Sequence, residues 1–353
     1  MKIAIPRERK TLEGRVALTP DAVGLLIKAG HQVILENDAG LNSGYDNQQY
    51  QAIGATIVQK LADLYQADLI VKVKEPMPEE LALLKPQQLL FCYLHLAAYP
   101  HVLTALLQQQ VTALAFETLT VNQRLPLLAP MSAVAGRIAV QLAIQYLQKN
   151  HQGAGVLLGG HFNIYHRGKV LVLGAGVAGS QAALMASALG AEVFVFDKSL
   201  EALDALYQKD SNLQVQLFDT HKISQLLPSI DVVIGAVLIK GANAPKVLSI
   251  AQQQLLAKGR VIVDIAIDQG GCIEGIEATD WQQPAYQKNN LTYIAVSNMP
   301  AAVPRTATQL LSQAITPYVL ALANGKLATD TVLQTAIALQ DGKIIHSALQ
   351  NFA

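Results

Sequence analysis

The chain has 353 residues, of which 51% are hydrophobic; this is enough for two domains with large cores and argues against a disordered protein. Its 26 Lys and Arg residues are balanced by 26 Asp and Glu residues, so net charge gives no reason to expect nucleic acid or an anionic membrane as a partner. We find no apolar stretch of the roughly 20 residues that a membrane helix needs and no signal peptide, and therefore expect a cytoplasmic protein. Cys92 and Cys272 lie in apolar segments without zinc spacing, which predicts reduced core thiols and no metal site.

The first part of the chain alternates short apolar runs with helical patterns. The segment "TPDAVGLLIKAG" predicts a helix with Thr19 as its N-cap, Pro20 at its first position and Gly30 at its end. Strands are predicted at "HQVILE", at "ADLIVKVK" (67–74) and at "QLLFCYLH" (88–95). This β-α-β order indicates a parallel sheet covered by helices on both faces.

A second alternation follows a long helix, predicted from Met131 to about Asn150, and a glycine-rich loop. Six strands are predicted in it: "KVLVLG", "EVFVFD", "QVQLF", "DVVIGA", "RVIVDIAI" and "LTYIAV". A helical segment from about Thr306 to Leu322 and a weakly patterned tail complete the chain. The predicted fold class is therefore α/β, with two doubly wound parallel sheets.

The strongest local motif is "KVLVLGAGVAGSQAALMASALGAEVFVFD", in which three glycines follow a strand and open a helix. Gly174 allows a tight turn, Gly176 allows the backbone to approach a pyrophosphate, and Gly179 allows close packing of helix on strand. Asp197 ends the next strand about twenty residues later, where a carboxylate can bind a ribose 2′-hydroxyl and would repel a 2′-phosphate. The motif predicts a dinucleotide site that prefers NAD to NADP; a glycine-rich turn without a ligand is the alternative.

Four polar side chains lie at or near the carboxyl ends of predicted strands, where ligands of open α/β sheets bind. Arg15 could bind a carboxylate through two N–H groups, and Lys74 could polarise a carbonyl oxygen or contact the same carboxylate. His95 can exchange a proton near neutral pH, and Asp268 can orient a cationic amine. A histidine in the core, or cations in ordinary salt bridges, remain alternatives for each residue taken alone.

These motifs together resemble the family of alanine dehydrogenases and transhydrogenase alpha subunits over nearly the full length of the chain. The resemblance is carried by "IPRERK", "EGRVALTP", "VKVKEP" (71–76), "LHLAA" (94–98), "LLAPMSAVAGR" (127–137), "VIGAVLIKGANAPK" (233–246), "VDIAIDQGGC" (263–272) and "NMPAAVPRTAT" (298–308). Asn243 in "KGANAPK", the loop 159–168 and the C-terminal tail depart from the family pattern.

The resemblance implies reversible, NAD-dependent oxidative deamination of L-alanine to pyruvate and ammonium. It implies that Arg15 and Lys74 bind the substrate and that His95 and Asp268 are the catalytic acid and base. It implies a substrate domain of residues 1–128 and 300–353, with an NAD-binding Rossmann domain of residues 129–299 inserted in it, and a homo-oligomer, a hexamer rather than a dimer. The cofactor-binding residues that it implies are Ser132, Gly174, Gly176, Val177, Ala178, Gly179, Asp197, Val237, Leu238, Ile267, Asp268, Asn298 and Met299.

The two aspartates of "VIVDIAIDQGG" are expected to have different roles. We interpret Asp264, inside the strand, as a structural carboxylate that accepts hydrogen bonds from nearby backbone N–H groups. Asp268, at the end of the strand, is the catalytic candidate, and the glycines after it would let the backbone turn sharply.

Three other functions remain open at this point. An NAD(H)-binding subunit of a proton-translocating transhydrogenase shares the fold and the "IPRER" start, although "IAIDQGG" argues against it. A saccharopine or lysine dehydrogenase would act on a larger substrate, and "LHLA" and "DIAIDQGG" fit it less well. A catalytically silent NAD-binding protein is disfavoured because all four polar strand-end residues are present.

Overall fold

The computed structural model describes residues 1–159, 167–238 and 244–352. Asn243 and residues 160–166 of the loop singled out in the sequence lie outside the described residues. The chain forms two compact units. Unit 1 consists of Met1–Met131 and Ala301–Ala353, and unit 2 consists of Ser132–Pro300. The assignment of substrate to the first and of NAD to the second remains a prediction.

Strands and helices alternate through most of the described chain. The strands are β1 Lys2–Ile5, β2 Gln32–Glu36, β3 Thr56–Val58, β4 Leu69–Val71, β5 Leu89–Cys92, β6 Thr112–Ala115, β7 Lys169–Leu173, β8 Glu192–Asp197, β9 Gln214–Leu217, β10 Val232–Gly235, β11 Val261–Asp264, β12 Ala285–Lys288, β13 Leu291–Ile294, β14 Ile337–Gln340 and β15 Lys343–Ile344. The α-helices are α1 Pro20–Lys28, α2 Asn47–Ala52, α3 Leu61–Leu64, α4 Pro78–Leu81, α5 Pro100–Gln108, α6 Ala129–Tyr146, α7 Val177–Ala188, α8 Leu200–Tyr207, α9 Thr220–Leu226, α10 Ile250–Gln253, α11 Pro304–Ala323 and α12 Thr331–Gln334.

The sheet of unit 1 has the order β15-β14-β6-β5-β4-β1-β2-β3. Strands β1 to β6 are parallel, whereas β14 and β15 add an antiparallel edge. Strands β2 and β3 extend the sheet on one side of β1, and β4, β5 and β6 extend it on the other. The order therefore reverses between β1 and β4, and side chains that follow these two strands lie at the point where ligands of such sheets bind.

The local signals of α1 are confirmed. Thr19 Oγ1 accepts a hydrogen bond from the N–H of Ala22 (3.5 Å), Pro20 is the first helical residue, and Gly30 follows the helix with a φ of +88°. The long helix α11 lies against this region and buries Leu311, Ile315, Val319 and Leu322 in the core of unit 1.

The sheet of unit 2 has the order β12-β13-β11-β10-β7-β8-β9, and all of its pairs are parallel except β12 with β13. Here the order reverses between β7 and β10. The predicted α/β fold with two doubly wound sheets is confirmed. The predicted strand "RVIVDIAI" ends early, at Asp264, because the Asp264 carboxylate accepts the N–H of Ala266 (2.9 Å) and the chain turns there into a 3-10 helix, Ile267–Gln269.

Candidate functional site

The glycine-rich turn of unit 2 joins β7 to α7. Gly174 has a φ of +108°, in the left-handed region that glycine favours. A Cβ at Gly179 would overlap the carbonyl oxygen of Gly174, so the helix packs on the turn as closely as the sequence predicted. The first backbone bond of α7 joins the Ser180 N–H to the Gly176 carbonyl (2.9 Å), and the N–H groups of Val177, Ala178 and Gly179 precede it at the positive end of the helix. A Cβ at Gly176 would meet no atom within 4 Å, so the backbone is open to close approach there.

Asp197 ends β8 beside this turn. Its Oδ2 accepts the N–H of Ala175 (2.6 Å), and its Oδ1 accepts the N–H of Ser199 (2.8 Å). The carboxylate therefore fixes the glycine-rich turn to the end of the neighbouring strand. It also places a negative charge one strand away from the N-terminus of α7, an arrangement that fits a ribose diol and disfavours a phosphate.

Asp264 is the structural carboxylate that the sequence predicted. It is fully buried, and it accepts the N–H groups of Ala266 (2.9 Å), Cys272 (2.7 Å) and Ile273 (2.9 Å). Burial raises the pKa of Asp264, although these N–H groups act in the opposite direction. The carboxylate thereby closes the loop that carries Asp268. The interpretation of Asp264 is confirmed.

Asp268 is exposed on this loop, and its Oδ2 accepts the N–H of Asn298 (3.3 Å). The carbonyl of Asn298 accepts the indole N–H of Trp281 (3.4 Å), and the φ of Asn298 is +59°. The structure therefore brings Asp268 and Asn298 together, at the ends of the adjacent strands β11 and β13.

The other predicted cofactor residues of unit 2 follow its central strands. Val237 and Leu238 come two and three residues after the end of β10, and Leu238 is 44% exposed. Ile267 is half-buried next to Asp268, and Met299 is buried next to Asn298. Ser132 is half-buried in the first turn of α6. The candidate residues thus lie at the ends of neighbouring strands, namely β13, β11, β10, β7 and β8. They are found on both sides of the point where the strand order reverses.

In unit 1, Arg15 is 2% exposed and is held by a glutamate. Its Nε and Nη2 donate to the two carboxylate oxygens of Glu13 (2.7 and 2.5 Å), and its Nη1 contacts the sulfur of Met131 (3.1 Å). Burial by itself lowers the pKa of Arg15, but Glu13 outweighs it, so that the pKa is raised and the guanidinium stays charged. The bidentate pair fixes the plane of the guanidinium.

Lys74 is 9% exposed, three residues beyond the end of β4. Its backbone N–H donates to Glu8 Oε2 (3.3 Å), and the N–H of Val73 donates to Glu8 Oε1 (2.7 Å). The neighbouring Lys72 is 1% exposed and forms ion pairs with Glu8 (3.7 Å) and Glu80 (2.7 Å). Lys72 is therefore part of a buried charge network, and the backbone N–H of Lys74 is bonded to a carboxylate of the same network.

His95 follows β5 with a strained φ of +45°. Its backbone N–H donates to Glu117 Oε1 (2.6 Å), and its Nδ1 lies 3.9 Å from the same oxygen. Its ring stacks on Tyr93 at 6.0 Å with an angle of 5° between the planes. The Tyr93 hydroxyl donates to the Leu127 carbonyl (2.6 Å), and burial raises the pKa of Tyr93. A carboxylate and an aromatic ring thus set the position of the imidazole, one strand away from Lys74.

Sequence reasoning missed the three glutamates that hold these side chains, Glu8, Glu13 and Glu117. Glu13 and Glu117 did carry a signal, because each lies beside a strand-end motif in an otherwise apolar setting, "LEGRV" and "LAFET". The two cysteines are buried free thiols, as predicted.

Across residues 1–159, 167–238 and 244–352, no helix combines the length and apolar character needed to cross a membrane.

The chain forms two α/β units. The second has the strand order and the glycine-rich turn that are typical of dinucleotide-binding proteins, and this is the class of protein that the fold indicates. Comparison with known proteins gives the family. The model of the alanine dehydrogenase/PNT N-terminal domain matches residues 4–135, and that of the alanine dehydrogenase/PNT C-terminal domain matches residues 139–347. The chain belongs to the alanine dehydrogenase/PNT family.

Individual relatives agree with this placement. The chain is similar to an alanine dehydrogenase of Bacillus subtilis (strain 168), with 41% identity over 357 residues that cover 99% of this chain and 94% of the relative. It matches a solved L-alanine dehydrogenase structure with a TM-score of 0.95 and 41% identity, covering 100% of this chain and 99% of the other. A transhydrogenase from Sinorhizobium meliloti matches with a TM-score of 0.85 over 99% of this chain and 100% of the other, but at 23% identity this likeness shows the fold alone.

Proposed function

We propose that the protein is an NAD-dependent alanine dehydrogenase, which converts L-alanine, NAD⁺ and water reversibly into pyruvate, ammonium, NADH and a proton. The observation that carries the proposal is the full-length likeness to proteins named alanine dehydrogenase, at 41% identity. The geometry supports it independently, because candidate residues follow the strands on both sides of the order reversal in each sheet.

NAD fits unit 2. The N–H groups of Val177, Ala178 and Gly179 would bind the pyrophosphate, as expected for a glycine-rich turn at a helix N-terminus. Asp197 would accept hydrogen bonds from the adenosine ribose. The remaining candidate contacts are Ser132, Gly174, Gly176, Val237, Leu238, Ile267, Asp268, Asn298 and Met299. When bound, the nicotinamide accepts the hydride that leaves Cα of L-alanine.

Unit 1 supplies the groups for the substrate. The guanidinium of Arg15, fixed by Glu13, would bind the carboxylate of alanine or pyruvate. The ammonium of Lys74 would contact the carbonyl oxygen and stabilise the negative charge that develops on it. Two cations suit the carboxylate and the carbonyl oxygen of a 2-oxo acid.

His95 and Asp268 would move the protons. Loss of hydride from Cα and of a proton from nitrogen gives iminopyruvate, to which water adds at Cα. His95 would take a proton from that water and return it to the nitrogen, and Asp268 would stabilise the cationic nitrogen that results. The C–N bond then breaks, ammonia leaves, and the hydroxyl proton passes to His95 as the carbonyl of pyruvate forms. Glu117 supports this role of His95, because it fixes the backbone and faces Nδ1 (3.9 Å).

A homo-oligomer, a hexamer rather than a dimer, is part of the same proposal and rests on the motif resemblance. A cytoplasmic location is also part of it and rests on the expectation drawn from the sequence. Light scattering on the purified protein would measure the subunit number directly.

The proposal is tested by NADH formation from NAD⁺ with L-alanine, beside L-lysine, L-serine and a reaction without substrate. We expect turnover with L-alanine and, in the reverse direction, NADH consumption that requires both pyruvate and ammonium. An Arg15→Met variant should lose turnover while retaining NADH binding. Preferential turnover of L-lysine, or tight NADH binding without turnover of any amino acid, would contradict the proposal.

A further inference from the structure

Glu8 occupies an unusual place in unit 1. It follows β1 by three residues, and its side chain is 2% exposed. A buried carboxylate is costly unless it is hydrogen-bonded and paired. Here it has three partners: the N–H of Val73 (2.7 Å), the N–H of Lys74 (3.3 Å) and the ammonium of Lys72 (3.7 Å).

The two backbone bonds lie where β1 and β4 no longer pair. The last paired residues of β1 and β4 are Ala4 and Ile70. Beyond them, β1 provides no strand partner for the residues that lead to Lys74. Glu8 replaces it, because the two oxygens of one carboxylate can accept two successive N–H groups. On the other side, pairing with β5 continues through the Tyr93 N–H and the Val73 carbonyl (3.0 Å). The backbone at Val73 is thereby held from both sides.

A lysine side chain has four flexible carbons, so its ammonium is positioned only as well as its backbone and the surroundings of its stem allow. Lys74 is 9% exposed, and its stem is therefore enclosed. The position of the Lys74 ammonium then depends on the direction in which the backbone leaves β4. Glu8 controls that direction through its hydrogen bonds to the backbone.

We propose that Glu8 is a positioning residue for the substrate-binding lysine, which acts by holding the backbone N–H groups of Val73 and Lys74. This inference rests on the proposed function, since Lys74 needs a substrate to bind. Other charged or titratable groups face the same carboxylate. Lys72 stabilises its charge, whereas Glu13 and Glu80 oppose it.

Glu80 provides a matched control. It is fully buried and pairs with the same Lys72, but its further partners are the Tyr65 hydroxyl (3.0 Å), the Met77 N–H (2.8 Å) and Arg9 (3.5 Å). Glu80→Gln removes the same charge from the same lysine and leaves the Val73 and Lys74 bonds in place. Glu8→Asp keeps the charge but withdraws the carboxylate from the backbone.

The test is steady-state kinetics of pyruvate reduction with saturating NADH and ammonium, together with the melting temperature and the NADH affinity of each variant. We expect Glu8→Gln and Glu8→Asp to raise the KM for pyruvate by about tenfold or more and to lower kcat as well, because Lys74 also stabilises charge that develops during the reaction; NADH affinity should stay unchanged. Glu80→Gln should lower the melting temperature and leave the KM within about twofold of wild type. A purely structural role of Glu8 would instead lower the amount of active protein at constant KM.

Each other outcome is decisive. Equal KM values in wild type and both Glu8 variants would overturn the positioning role. Failure of both Glu8 variants to fold, with Glu80→Gln folded, would also overturn it and assign Glu8 to the stability of the sheet. An inactive wild-type protein would overturn the proposed function and the positioning role with it, whereas an active wild type with unaffected Glu8 variants would overturn the positioning role alone.

Discussion

Replacing Glu8 by glutamine should change how the stability of the protein depends on pH. Burial raises the pKa of Glu8 from its ordinary value of 4.5 to about 7, with Lys72 acting against the rise and Glu13 adding to it. The folded protein therefore binds this proton more tightly than the unfolded chain does. The stability that follows from this difference is fully present below about pH 4.5 and is lost as the pH rises through 7.

The gap between the two pKa values corresponds to about 3 kcal/mol of folding free energy. Glutamine does not titrate, so the stability of Glu8→Gln relative to wild type should increase by about that amount between pH 4.5 and pH 8. An unfolding entropy of about 2.1 cal/mol/K per residue over 353 residues converts this into a relative shift of about 4 °C in Tm.

Differential scanning calorimetry from about pH 5 to pH 8 at constant ionic strength measures this shift. Glu79→Gln is the matched control for the loss of a glutamate carboxylate, because the Glu79 side chain is 55% exposed. If the melting temperatures of wild type and Glu8→Gln stay parallel over the whole range, the Glu8 carboxyl is not perturbed by burial and the reasoning is refuted.

Three further predictions concern unit 2. Asp197→Ala should weaken the binding of NAD and reduce discrimination against NADP. An unchanged ratio of the kcat/KM values for NAD and NADP would contradict the assignment of Asp197 to the ribose. Asp268→Asn should lower kcat by about 10² or more with NADH affinity retained, as measured by fluorescence titration; a loss of only a few-fold would refute the proton-transfer role. Asp264→Ala leaves three buried N–H groups without their acceptor and should lower the unfolding free energy by about 3 kcal/mol or more, whereas a change below about 1 kcal/mol in urea denaturation would show that the loop is held by other contacts.

Features that depend on local chemistry could be predicted from the sequence. The glycine-rich turn needs particular residues at fixed spacing, so its strand, turn and helix were recognisable at Gly174 and Gly179. Asp264 was predictable for a similar reason: a carboxylate within an apolar strand must find hydrogen-bond donors, and the next glycine-rich turn supplies them. Thr19 and Pro20 define the start of α1 through contacts within one helical turn.

Features that depend on distant parts of the chain could not be predicted in the same way. Glu8 and Val73 lie 65 residues apart, and their contact exists only because β1 and β4 become neighbours. Two antiparallel edges were missed although they carried signals. Asp341-Gly342 joins β14 to β15, and Asn289-Asn290 joins β12 to β13, each with two positive φ values, as short hairpin turns require.

Unit 1 is built from two segments of the chain, so during synthesis it cannot be completed until the second segment has been made. The N–H of Val16 donates to the hydroxyl of Thr308 (3.0 Å) and that of Thr19 to Ser312 (3.0 Å), while α11 fills the core beneath them. A ribosome releases all of Ser132–Pro300 before it releases α11. Unit 2 can therefore fold while the N-terminal segment of unit 1, Met1–Met131, still exposes the apolar face that α11 covers in the complete protein. A translational pause after Pro300 would prolong the exposure of this apolar face. Nascent chains of this protein should therefore depend on chaperones most strongly late in synthesis.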